Sequence, residues 1–143
     1  MIINLTGQLD ASGNLIMELP KIYFDQKFSY KIALTMIHVE MPHALKTTVK
    51  SGSLFCLNTN LVDRSSANPA QSIYHFWLRD KDMTHSTALY SRAVNVKYYG
   101  LHLFDFENAT FEITRPFTTE KIEIKNIFIQ LEVVKVDPYG RIQ

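Results

Sequence analysis

Apolar and polar residues alternate one for one through much of the chain. The longest such run places Tyr30, Ile32, Leu34 and Met36 on one side and Lys31, Ala33, Thr35 and Ile37 on the other. A period of two is that of a pleated strand, whose successive side chains point to opposite faces. Ile37 and Val39 make the second face partly apolar, so the far end of this strand is expected to be covered on both sides. Met41-Pro42 ends the run, because proline has no N–H to give to a ladder.

The same reading predicts strands over Ile2 to Gly7, Leu15 to Leu19, Leu54 to Asn58, Ile73 to Leu78, Ala88 to Tyr98, Leu101 to Phe104, Ala109 to Thr114 and Ile122 to Val136. Between the first two, Asp10-Ala-Ser-Gly-Asn14 supplies residues tolerant of positive φ, as a short hairpin connection requires. In the last run, Ile122 and Ile124 keep one phase while Ile127, Ile129, Leu131 and Val133 keep the other, which implies a bulge or bend near Lys125-Asn126. Helical signal is confined to a short turn over Met83 to Tyr90.

The expectation is an all-β fold, a single jelly-roll β-sandwich of about eight antiparallel strands over residues 1–136, with 137–143 leaving it as an extended tail. An immunoglobulin-like sandwich is the alternative, but its Cys…Trp…Cys pattern is not met, since Trp77 has only one cysteine to work with.

At 143 residues one core suffices, without metal or disulfide. A net charge of +1, from 15 basic and 14 acidic residues, gives no general drive toward nucleic acid, whose binding needs clustered phosphate contacts. The only cysteine, Cys56, stands in the apolar run Leu54-Phe-Cys-Leu57 and reads as a small buried hydrophobe. No run approaches the roughly 20 apolar residues of a membrane span, and the first residues lack a signal-peptide pattern, so an intracellular, non-secreted product is expected.

Candidate chemistry is sparse. His38, His43, His75, His85 and His102 lack the paired helical spacing of a zinc hydrolase, and Cys56 has no local signature of a nucleophile. Asp105 and Glu107 flank Phe106 and permit acid–base work, but they read more simply as a solvated turn. No glycine-rich phosphate loop is present, and Asn108-Ala-Thr110 is a glycosylation motif without a secretory context. Lys46, Lys50, Arg64, Arg79, Lys81 and Arg92 lie in or near connections and can gather at one end of a sandwich as a modest basic surface. Neither a catalytic residue, a metal ligand nor a cofactor is assigned.

What remains is surface. With nine Phe, seven Tyr and one Trp, a small sandwich has more rings than its core needs, and exposed rings mark subunit contacts. Tyr23, Phe24, Tyr98, Tyr99, Phe117 and Tyr139, near strand ends or in the tail, are the candidate interface, and capping of the open sandwich ends is the rival role for each. The polar stretch between Leu57 and Ile73 uses Asn60, Asp63, Arg64 and Asn68 in a turn-rich surface loop.

The segments Phe28-Ser-Tyr-Lys-Ile-Ala-Leu34, Leu57-Asn-Thr-Asn-Leu-Val-Asp-Arg-Ser-Ser-Ala-Asn-Pro69 and Phe106-Glu-Asn-Ala-Thr-Phe-Glu-Ile113 resemble the minor capsid, or penton, proteins of Maverick/Polinton elements and adintovirus-like DNA viruses. The resemblance extends from about Lys27 to Val134 and rests on scaffold motifs, not on an active site. It implies a non-enzymatic virion protein, a single jelly roll forming a homopentamer at icosahedral vertices beside a double jelly-roll major capsid protein. Genes of this kind also persist in animal genomes, so a domesticated product fits the same resemblance. The functional alternative is a ligand-binding β-sandwich, carbohydrate-binding or cytokine-like, presenting loops around Asn60 to Asn68 or Arg79 to His85.

Overall fold

The computed structural model of the protein describes residues 1–9, 15–25, 27–42, 50–62, 71–94, 97–101, 109–116 and 122–142. They form nine strands: β1 (Ile2–Leu9), β2 (Leu15–Glu18), β3 (Ser29–Pro42), β4 (Leu54–Thr59), β5 (Gln71–Trp77), β6 (Thr87–Ala93), β7 (Tyr98–Gly100), β8 (Phe111–Thr114) and β9 (Asn126–Val136). All pairings are antiparallel. One sheet has the order β2-β1-β9-β3-β6, with β7 also on β3, and the other the order β5-β4-β8. Their inner faces share one core, in which Leu5, Ile37 and Ile129 of the first sheet join Phe55, Phe76 and Ile113 of the second. Each such enclosed side chain contributes about 1.5–3 kcal/mol, which makes this core the main support of the fold.

The long strand β3 departs from simple alternation. Its register with β9 shifts between Leu34 and Met36, leaving Thr35 as the extra residue of a bulge. Tyr30, Ile32 and Leu34 before the bulge, and Ile37, Val39 and Met41 after it, are therefore all buried in the same core, while Met36 is exposed. The apolar second face read from the sequence is thus the core face itself, continued after a change of phase. Thr35 Oγ1 lies 3.2 Å from the Gln130 carbonyl and 3.0 Å from its side-chain Oε1, which holds the bulge against β9. At the same point the outer neighbour of β3 divides: β6 pairs from Met36 onward and β7 pairs at Lys31–Ala33. The single strand expected over Ala88 to Tyr98 is accordingly two.

The phase slip in the last run has a different cause. The Ile122 N–H donates to Ile113 of the small sheet at 2.9 Å, and the Lys125 N–H donates to Glu40 of the large sheet at 2.8 Å. The chain changes sheets over these residues, with a bend at Lys125 before β9 begins, and Ile122 and Ile124 stay buried on the way.

Three other expectations change. The short helical turn lies at Asp80–Asp82, not within Met83 to Tyr90. The Asp82 carboxylate accepts the Arg79 N–H at 2.8 Å and closes that turn, whereas Thr84 N donates to Thr87 O at 2.8 Å and turns the chain into β6. Leu101 makes an isolated bridge to Val62, and the rest of the strand expected up to Phe104 lies outside the described residues, as do the 10–14 connection and Phe106. Residues 137–142 do not extend away. The Asp137 N–H donates to Arg141 O at 2.9 Å, Gly140 takes φ 82°, and Ile142 bridges back to Val136.

Candidate functional site

At the end of the large sheet where β1 starts and β9 stops, the Met1 ammonium donates to Val133 O at 3.0 Å and Val133 N returns a bond to Met1 O at 2.8 Å. The segment entering β3 folds over this end. Tyr30 pins it: its hydroxyl accepts the Asp25 N–H at 3.1 Å and donates to Asp25 O at 3.3 Å. Asp25 Oδ1 takes the Lys27 N–H at 3.0 Å and Asp25 O takes that of Phe28 at 3.1 Å, an Asx-type turn. Phe24 packs edge-on against Tyr30 with ring centres 5.0 Å apart. Tyr23, on this braced loop, is left 96% exposed. Between loop and sheet lies a groove of about 670 Å³, lined by Met1, Tyr23, Phe24, Asp25, Tyr30 and residues 132–135 of β9.

Two acidic residues, Asp25 and Glu132, line this groove together with Tyr23, Phe24 and Tyr30. Glu132 accepts the Tyr98 hydroxyl at 3.2 Å, and burial first, then the Glu132 charge, pushes the Tyr98 phenol above its ordinary value. The cations are occupied: Lys135 Nζ sits 4.5 Å from the centre of the Phe28 ring, and the Met1 ammonium is bonded to Val133. Beyond Val136, the Asp137 side chain accepts the N–H groups of Tyr139 and Arg141 at 2.9 and 2.8 Å and pairs with the Arg141 guanidinium at 3.3 Å. That turn presents Tyr139, 83% exposed, with the Arg141 guanidinium 5.4 Å from its ring centre.

The flank where β5 faces β6 and β7 is built differently. The hydroxyls of Tyr74 and Tyr90 are 2.6 Å apart, and Tyr99 donates to Ile73 O at 3.3 Å, so tyrosine hydroxyls join the two sheets. A shallower hollow of about 470 Å³ lies here, lined by Ile73, Tyr74, His75, Ala93, Val94, Lys97 and Tyr99. Nearby, Asp82 pairs with Arg92 at 2.9 Å. Burial, the largest influence on Asp82, raises its pKa, but the Arg79 N–H and the Arg92 guanidinium together outweigh it and hold the carboxyl below its usual value. Lys50, Arg79 and Lys81 share this corner with Asp80, which accepts the Ser51 hydroxyl, and Arg79 stacks over the half-exposed Trp77.

The expected interface residues therefore divide. Tyr23 and Phe24 line the groove, Tyr98 reaches it through Glu132, and Tyr139 stands on the neighbouring turn. Tyr99 belongs to the other flank and seals it. Phe117 lies outside the described residues, as do Asp63, Arg64 and Asn68 of the expected loop. Asn60, half-buried, accepts the Thr110 N–H at 2.8 Å, a bracing role between loops.

Cys56 is a free, buried thiol opposite His75 in the β4–β5 register. Burial pushes its pKa up, against a smaller opposing effect of a Ser72 hydrogen bond, so the thiol is held protonated at neutral pH. His38 lies in β3, His85 in the connection before β6, and His43 and His102 fall outside the described residues along with Asp105 and Glu107. Among the described residues no three metal-ligating side chains come together. Asp25, Glu132 and Arg141 were not singled out by residue type. The run Asp137-Pro-Tyr-Gly140, a turn signature, does mark the loop that carries Arg141. No family model, curated protein or solved structure matches the chain.

Proposed function

We propose that the protein is a self-assembling structural subunit of a viral shell, a single jelly roll that forms a homopentamer at icosahedral vertices and abuts a double jelly-roll major capsid protein. The order of strand pairing carries the reading. A jelly roll is an antiparallel ribbon of eight strands in which first pairs with last, second with seventh, third with sixth and fourth with fifth, rolled into two sheets. Taking β6 and β7 as one strand interrupted opposite the Thr35 bulge reduces nine strands to eight. Three of the four ribbon pairs, β1–β9, β3–β6/β7 and β4–β5, are hydrogen-bonded, and the fourth, β2–β8, is in contact across the edge of the sandwich. Rolling such a ribbon places β9 beside β3 and β4 beside β8, as here.

A ring of identical copies needs two different complementary surfaces on each subunit. The flank of β5, β6 and β7 carries Trp77, His75 and Lys97, whereas the flank of β2 and β8 carries the exposed Ile16 and Glu18. The capsid partner and the location in a virion come from the family resemblance.

Negative-stain electron microscopy of the purified protein tests this reading. Rings with five-fold symmetry are expected; a protein that stays single and is retained by sugars on a glycan array is instead a ligand-binding sandwich.

A further inference from the structure

We propose that the groove beneath Tyr23 receives the Tyr139–Arg141 turn of a second copy of this chain, which rests on the reading of the protein as a ring-forming subunit. Tyr23 and Tyr139 are the two most exposed of the large apolar side chains described, at 96% and 83%. Both sit on loops fixed from within by an aspartate: Asp25 together with the Tyr30 hydroxyl braces the first, and Asp137 binds two N–H groups and a guanidinium in the second. A rigid exposed aromatic loses little conformational freedom on docking, the property of side chains that carry interface energy.

Charge identifies the occupant. The groove is lined by the acidic residues Asp25 and Glu132 together with aromatic residues, with the Lys135 ammonium turned onto Phe28 and the Met1 ammonium bonded to Val133. A planar cation beside an aromatic ring satisfies both features of such a site, by pairing with carboxylate and by stacking on Tyr23. Arg141 over Tyr139 is that pair of groups. Groove and turn both adjoin the end of β9, at residues 132–135 and Asp137. In a ring the turn enters the groove of the next copy and not its own, a heterologous contact that repeats to closure.

Two singly substituted proteins, Tyr23→Cys and Tyr139→Cys, test this when mixed under mild oxidation. Both positions are exposed, so neither change enters the core, and the native Cys56 is buried. The mixture is expected to form a disulfide between the two chains at least about tenfold faster than a control mixture of Tyr23→Cys with Leu89→Cys, whose site is on β6. Separately, Arg141→Gln is expected to weaken assembly about tenfold or more. If the wild-type protein forms rings but cross-linking does not exceed the control, or Arg141→Gln assembles unchanged, this contact is wrong while the ring reading stands. If the wild-type protein is a monomer at every concentration, both are wrong.

Discussion

The hydroxyls of Tyr74 on β5 and Tyr90 on β6 lie 2.6 Å apart and tie the small sheet to the large one. Phe76 stacks on Tyr90 at 4.5 Å and the Arg92 guanidinium lies 4.7 Å from the centre of the same ring, so the tie is packed on two sides. Tyr90→Phe keeps the packing and removes one hydrogen-bond partner. It is expected to lower stability by about 1 kcal/mol, read as a lower urea midpoint with an unchanged slope. An unchanged midpoint would mean that the two sheets do not depend on this bond.

The same tyrosine gives the fold an alkaline limit. Burial, and then the hydrogen bond with Tyr74, push the Tyr90 phenol well above its ordinary value. A pKa higher in the folded than in the unfolded chain means that the folded state keeps its proton longer. The contribution is complete below about pH 10, the unfolded value, and is lost as pH rises toward the folded one. Denaturant unfolding at stepped pH should show stability falling above about pH 10, less steeply in Tyr90→Phe. Parallel curves for the two proteins would contradict the assignment.

Asp82 sets a limit on the acid side. Its carboxyl lies below the usual value because the Arg79 N–H and Arg92 outweigh its burial, so its contribution is present above the unfolded pKa of about 4 and is lost as pH falls through the folded one. Asp82→Asn keeps the shape and removes the charge that holds Arg92. A loss of about 2 kcal/mol at neutral pH is expected, together with a shallower decline of stability in acid, both measurable by thermal unfolding from pH 2 to 7.

Deleting Thr35 tests the bulge. Without the extra residue Leu34 joins Met36 directly and β3 alternates strictly, with Ile37, Val39 and Met41 still on the core face. Cooperative unfolding should persist in the circular dichroism melt, as it should in Thr35→Val, which keeps the residue count, loses only the hydroxyl contacts to Gln130 and should cost about 1 kcal/mol. A deletion variant without a cooperative melt would refute this description of β3.

These elements also mark how far the chain can be read unaided. Strand positions were legible because apolar side chains recur at every second position, and the phase slip near Lys125 was visible in the isoleucines. What lay behind the slip was not, since a bulge, a bend and a passage between sheets break alternation in the same way, and only the partners Ile113 and Glu40 distinguish them. The bulge at Thr35 was hidden because Ala33 and Ile37 fit either phase. Exposed tyrosines near strand ends were legible as surface, but their grouping was not. Tyr23 shares a groove with Glu132, and Tyr99 bonds Ile73, although the residues of each pair are far apart in the chain.

The central claim is self-association into a closed ring, and sedimentation equilibrium measures it directly. Across a range of protein concentrations the account predicts a species of five times the 16.5 kDa chain mass, with no larger open polymer. A single species of 16.5 kDa at all concentrations would contradict it.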